Sequence, residues 1–318
     1  MGKQHDKKET PTQGTTPTIS RQPIPIYLDA REQPKDGILY AIKMKSGNVT
    51  RVVPVLQSLT PIEAARISAH VYGDHPDNIL TGGWKASSRN FSQGKNIVVL
   101  NDPYGSGFKS RVYERIVNGK VTEYVYAFAG TEDLRDAVTD IHEGSLGLFV
   151  KQYEQAAKAA KAISDELVKE ELNSDELSKK KSKLSFVGHS LGGGLAAYCL
   201  AETGTDRLCT ALTFNALGVS RFTKLSMKNA AITAYVLTTD PLNMIQNNNF
   251  TALGVIMADV DGKIVRVKTP EWVRTPIQAH SIDTMIEALD PTFILTNEQK
   301  AQINEAQKNF NNFWQDQW

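Results

Sequence analysis

A chain of 318 residues with 41% hydrophobic and 22% charged side chains has globular composition and enough apolar material for one large core. Its 36 basic and 35 acidic residues leave a net charge of +1, which gives no electrostatic basis for nucleic acid or an anionic membrane as partner. No apolar run approaches the roughly 20 residues of a membrane-spanning helix, so no transmembrane segment is expected, and two cysteines form neither a disulfide framework nor a metal site.

Residues 1–20 are polar, rich in Thr, Gln, Pro and Lys, and read as a disordered tail ahead of a single domain over 21–318. The opening Met1-Gly2-Lys3-Gln4-His5-Asp6-Lys7-Lys8 lacks the apolar core of a signal peptide. Synthesis in the cytoplasm is expected, with any export by a route that uses no cleaved leader. Stretches 37–45 and 49–56 alternate about Ser46-Gly47-Asn48 as a β-hairpin. Thr60-Pro61-Ile62-Glu63 is a capping box with proline at the first helical position, opening a helix to about Tyr72.

Strands are expected over 96–100, 110–117 and 121–129, with Asn118-Gly119 turning between the last two. A helix from about Leu148 continues through the alanine-rich 155–162, and 173–183 is a charged connection. Strands near 184–188, 209–214 and 231–239 then alternate with helical segments. That alternation predicts an α/β fold, a mostly parallel central sheet with helices on both faces. Residues 255–257 and 263–267 read as an inserted hairpin. The end, 296–318, begins as a helix whose Phe310, Phe313 and Trp314 fall at helical spacing and are expected to dock on the core.

The most informative stretch is Gly188-His189-Ser190-Leu191-Gly192-Gly193-Gly194, lying between the apolar Leu184-Ser185-Phe186-Val187 and a helix-like run from Leu195. A serine with glycines two residues away on each side, at a strand-to-helix turn, is a nucleophile elbow. The bare pattern is weak, and a serine N-cap with flexible glycines behind it is the plain alternative. Context raises it: glycine inside a helix costs up to about 1 kcal/mol relative to alanine, and three stand in a row here. Close approach of helix, strand and ligand accounts for them.

A serine hydroxyl needs a base and an orienting carboxylate, because it is barely nucleophilic at neutral pH. In the chain order Ser, Asp or Glu, His, the base must be His280, since the other five histidines are His5, His70, His75, His142 and His189. His189, next to the serine, is expected to point away from it. The plain alternative for His280 is a surface histidine in a loop after Thr275-Pro276-Ile277. The carboxylate is best placed at Asp240, where Asp240-Pro241 ends the β-rich 231–239; Asp206, Asp259, Asp261, Asp283 and Glu287 compete.

With these residues in hand, the chain resembles the class 3 lipases, the fungal-lipase-like branch of the α/β hydrolases. Four pieces carry the likeness in order: Tyr126-Ala127-Phe128-Ala129-Gly130-Thr131, the elbow, Leu212-Thr213-Phe214-Asn215-Ala216, and Asp240-Pro241 paired with His280-Ser281-Ile282. The resemblance implies that Thr131 supplies one oxyanion donor and the Leu191 N–H the other. Read without it, Thr131 is a helix N-cap. In place of the apolar lid helix of fungal members stands the short, mildly apolar stretch from His142 to Phe149, and Ala129 replaces an arginine common among relatives.

The expected activity is a serine ester hydrolase acting on lipid or phospholipid at the sn-1 position through an acyl-enzyme, with no cofactor and no metal. The acyl-serine step follows from the residues, and the lipid follows from the resemblance. Leaderless lipase-fold proteins also resemble antibacterial phospholipase effectors of the type VI system, which implies a cognate immunity protein as partner. The alternatives are a soluble carboxylesterase or thioesterase of small acyl substrates, and a non-catalytic binding protein on the hydrolase fold.

Overall fold

The computed structural model describes residues 38–45, 48–56, 59–93, 96–97, 108–130, 146–173, 183–203, 209–217, 231–241 and 262–316. The tail 1–20, the connection 174–182 and the segment 255–257 lie outside them. The first hairpin forms as its alternation predicts: β1 (Ile38–Lys45) and β2 (Asn48–Leu56) pair antiparallel as a two-stranded sheet of their own. Helix α1 (Pro61–His70) starts on its capping box. The Glu63 N–H donates to Thr60 Oγ1 at 3.2 Å and the Thr60 N–H to Glu63 Oε2 at 2.9 Å, satisfying two donors that a helix start otherwise leaves open.

Three short strands follow, β3 (Trp84–Ala86) and, in a separate pair, β4 (Ser92–Gln93) with β5 (Asn96–Ile97). Strands β6 (Ser110–Val117) and β7 (Lys120–Phe128) form a hairpin turned by Asn118 and Gly119, both left-handed at φ 52 and 75. Two positive-φ central residues give the turn whose twist matches the strands, which is why Asn-Gly is found there. Helix α2 (Leu146–Asn173) runs far past the alanine-rich stretch that announced it. Strand β8 (Lys183–His189), helix α3 (Leu191–Thr203), β9 (Thr210–Phe214) and β10 (Ile232–Leu237) complete the predicted alternation.

The strand β11 (Lys263–Val267) forms and pairs parallel with β10, from Thr233 opposite Lys263 to Leu237 opposite Val267; 255–257, the other arm of the expected hairpin, lies outside the described residues. That pairing buries Val265 and Val267 in the main core. The seven-stranded sheet of the described residues runs β11-β10-β9-β8-β7-β6-β3, parallel from β11 to β7 and antiparallel beyond.

The stretch leading to His280 forms the five-residue helix α4 (Pro276–His280). Thr275 caps it with the same Thr-Pro-x-Gln/Glu signature that opens α1, too short to show periodicity. Helices α5 (Ile282–Leu289) and α6 (Asn297–Asp316) follow; the side chains of Phe310, Phe313 and Trp314 lie outside the described ones.

Two cores sandwich the sheet. On one face Ala65 and Ile67 of α1 and Met285 and Ile286 of α5 pack on Val125, Ala127, Val187 and Leu237. On the other, Ile163 and Leu167 of α2 and Leu195 of α3 pack on Tyr124, Tyr126, Phe128 and Phe186. Successive residues of β7 divide between the faces, as strand geometry requires. This is the α/β-hydrolase layer order, and it leaves the carboxyl ends of β7 to β10 side by side.

Candidate active site

Ser190 occupies the single step between β8 and α3 and is held left-handed at φ 56. For a residue with a Cβ that costs on the order of 1–3 kcal/mol and persists only where the surroundings over-determine it. They do. The Ser190 N–H donates to Phe214 O at 3.1 Å, while the Ser190 carbonyl accepts from the N–H groups of Gly193 and Leu217, each at 3.0 Å. The flanking glycines are a matter of space: a Cβ on Gly188 would fall 2.2 Å from Gly192 O, and one on Gly192 2.3 Å from Phe128 O. Both neighbours are backbone and cannot yield, so the turn admits only hydrogen at these positions. Leu191, the first residue of α3, presents one of the N–H groups that a helix start leaves without an intrahelical acceptor.

Asp240 sits just past β10 and is almost wholly buried at 1% exposure; His280 ends α4 and is buried as well. They meet with His280 Nδ1 donating to Asp240 Oδ2 at 2.7 Å. A carboxylate only accepts, so this bond fixes the neutral imidazole with its lone pair on Nε2. That Nε2 is buried and has no hydrogen-bond partner among the described residues. An imidazole nitrogen left open in this way costs stability, typically about 1–3 kcal/mol, and is the arrangement a proton acceptor needs. The surface-loop alternative for His280 is overturned by its burial and its helix.

Two of the competing carboxylates are engaged elsewhere. Asp283 accepts from His75 Nε2 at 2.9 Å, and Glu287 accepts from Trp272 Nε1 at 3.0 Å; Asp206, Asp259 and Asp261 lie outside the described residues, as does Thr131. His75 is also bonded through Nδ1 to Asp74 at 2.8 Å. Burial opposes its charge, but the bonds to Asp283 and Asp74 outweigh burial and push its pKa up to about 10 from 6.5. A folded-state pKa raised above the unfolded one means the contribution is complete below pH 6.5 and is lost as pH climbs through about 10. His75→Gln is therefore expected to lower Tm clearly at about pH 6 and hardly at all at about pH 10.5. Equal deficits at both would remove the ion pair from the account.

Two residues given no role by sequence reasoning, Asn215 and His189, hold the carbonyl of His280, and a third, Tyr72, backs His189. Asn215, left-handed at φ 42 after β9, donates through Nδ2 to Ala279 O at 3.1 Å and His280 O at 3.2 Å. Its Oδ1 accepts from the Leu237 N–H at 3.0 Å, tying the strand that leads to Asp240 to the turn that carries His280. His189 turns its ring into the protein, with centroids 4.8 Å from the His280 ring, and its Nε2 donates to His280 O at 2.6 Å. Tyr72, just beyond α1, donates to His189 Nδ1 at 3.0 Å and accepts from the Gly130 N–H at 3.0 Å. Nothing local marks Tyr72; His189 was visible, but its partner lies 91 residues away.

Among the described residues there is no cluster of three His, Cys, Asp or Glu side chains able to hold a metal ion, and no helix long and apolar enough to cross a membrane.

Comparison with known proteins places the chain among lipolytic enzymes by similarity. Residues 63–283 match the model of a phospholipase-like family, the Tle-like phospholipase domain. Over 123 residues the chain is 42% identical to the extracellular phospholipase A1 of Serratia liquefaciens, a match covering 37% of this chain and 30% of that protein. Solved structures with similarity include a triacylglycerol lipase of Penicillium expansum, at 14% identity and a TM-score of 0.40 over 65% of this chain and 78% of that one. The Rhizomucor miehei lipase propeptide complex aligns at 13% identity and a TM-score of 0.42, covering 79% of each chain.

Proposed function

We propose, on the footing that this chain belongs to the Tle-like phospholipase family, that it is a serine hydrolase cleaving the sn-1 acyl ester of phospholipids. The observation that carries the reading is the buried Asp240–His280 pair at 2.7 Å, its outer nitrogen open, with Asp240 and a left-handed serine both following the carboxyl ends of parallel strands of one sheet. Ser190 Oγ attacks the acyl carbonyl carbon and its proton passes to His280 Nε2. Asp240 steadies the imidazolium that forms, and the Leu191 N–H with the Thr131 N–H and hydroxyl receive the oxyanion. Collapse expels the lysophospholipid alkoxide, which takes the proton from His280. Water, deprotonated by the same nitrogen, then releases the fatty acid and frees Ser190.

Phospholipids carrying different acyl chains at sn-1 and sn-2 test this directly, with products read by mass spectrometry. The sn-1 fatty acid and the matching 2-acyl lysophospholipid are expected from wild type and neither from Ser190→Ala. Turnover of short soluble esters or thioesters alone would instead favour the small-substrate alternative.

The Serratia relative is named as extracellular, and this supports export; the antibacterial role, with an immunity protein covering the site in the producing cell, is an extension of the proposal. Delivered to the periplasm of a bacterium lacking that protein, wild type is expected to arrest growth and Ser190→Ala to be tolerated. Indifference to both would end this extension while leaving the hydrolase reading intact.

A further inference from the structure

We propose that His189 and Tyr72 are positioning residues that lock the backbone of the general base to the nucleophile's own turn and to the end of the oxyanion strand. The proposal rests on the hydrolase reading of Ser190, Asp240 and His280, and goes beyond it. His189 is covalently next to Ser190, and its Nε2–H holds the carbonyl of His280 at 2.6 Å. One rigid ring therefore spans the gap between the residue that attacks and the residue that takes the proton.

The hydrogen-bond directions follow from valence. The His280 carbonyl can only accept, so His189 must carry its proton on Nε2 and keep a lone pair on Nδ1. That lone pair takes the proton of the Tyr72 hydroxyl at 3.0 Å, and the hydroxyl oxygen takes the Gly130 N–H at 3.0 Å. Gly130 is the residue before Thr131, so the relay ends where the oxyanion donor begins. Burial and the neighbouring His280 hold the His189 pKa down to about 3, and the ring stays neutral across the working range. The segments meet without slack: a Cβ on Gly130 would stand 2.7 Å from both His189 O and the Tyr72 hydroxyl.

An ordinary core histidine would need partners too, but these partners are not ordinary. Asn215 already donates to the His280 carbonyl from the β9 side, so His189 supplies a second direction. Together they fix where the imidazole hangs from the chain. Removing one direction allows a displacement of the base on the order of an ångström, which costs about 10²-fold where geometry governs the step.

Two amide variants divide the ring's two bonds. His189→Gln places an N–H donor near the Nε2 position and keeps the bond to His280. His189→Asn places its amide near Nδ1, keeps a partner for Tyr72 and loses the bond to His280. With p-nitrophenyl butyrate, His189→Asn is expected to lose about 10- to 100-fold in kcat with KM nearly unchanged, and His189→Gln to recover most of that loss. Inactivation by a fluorophosphonate, which needs the same serine and base, should slow in parallel. Tyr72→Phe, which keeps the ring and removes only the hydroxyl, is expected to fall about tenfold in kcat and carries the test if the His189 variants fail to fold.

Folded His189→Asn with wild-type kcat overturns the proposal. So do equal losses in His189→Asn and His189→Gln, which would mark a merely structural ring. If the His189 variants do not fold, Tyr72→Phe with wild-type kcat overturns it. Ser190→Ala keeps the two readings apart: if it turns over ester as fast as wild type, the hydrolase reading fails and takes this role with it.

Discussion

Ser190→Ala is expected to lower phospholipid turnover by about 10⁶-fold while leaving the fold intact, as loss of the nucleophile does in serine hydrolases generally. The size of the effect follows from what is removed. Without the hydroxyl no acyl-enzyme forms, and the remaining donors at the start of α3 can polarise a carbonyl only for direct attack by water. A residual rate of roughly 10³–10⁴ over the uncatalysed reaction is the most those groups supply. Stability should hold because the hydrogen bonds that Ser190 makes among the described residues use its backbone, which alanine retains. Steady-state release of fatty acid, with thermal unfolding followed in parallel, checks both halves. Undiminished turnover in a folded Ser190→Ala protein would leave a binding protein on a hydrolase fold as the better reading.

Asp240→Asn should cost about 10⁴-fold in kcat with substrate binding little changed, because the substitution alters a tautomer more than a shape. Asp240 is 1% exposed and receives the His280 Nδ1 proton at 2.7 Å, so the carboxylate selects the imidazole form whose Nε2 is open. An amide of the same outline can turn its N–H₂ toward Nδ1. The ring would then carry its proton on Nε2, aimed outward, with nothing to accept the serine's proton. The imidazolium formed during attack would also lose its counter-charge in a buried setting, where pairing matters most. The sign of the pH effect separates the two losses: activity should recover toward high pH, where hydroxide replaces the missing base. A variant with wild-type kcat at neutral pH would place the orienting carboxylate elsewhere.

Both predictions concern residues that could be named before any coordinates, and the reason is physical. The elbow is written in seven consecutive residues because its demands are local: one left-handed step and two positions where a Cβ would meet backbone at 2.2 and 2.3 Å. The caps at Thr60 and the Asn118-Gly119 turn are local in the same sense. His280 needed only chain order, as the one histidine beyond the elbow, and Asp240 only a β-rich run ending at a proline. The helix Pro276–His280 was legible too, in a capping box like that at Thr60, but five residues are too few for the period that usually reveals a helix.

Tertiary structure alone decided the rest. The β-branched residues of 263–267 announce a strand but not its partner; the pairing with β10 and the apolar face beside it are set by the fold. Tyr72, His189 and Asn215 bond partners 117, 91 and 65 residues distant along the chain, separations at which no pattern in the sequence carries information about contact. What the sequence by itself determined here is the conformation of short segments and the candidates for the reacting groups. Which groups hold them in register is a property of packing, because it arises only when separate elements bury the same face of one sheet.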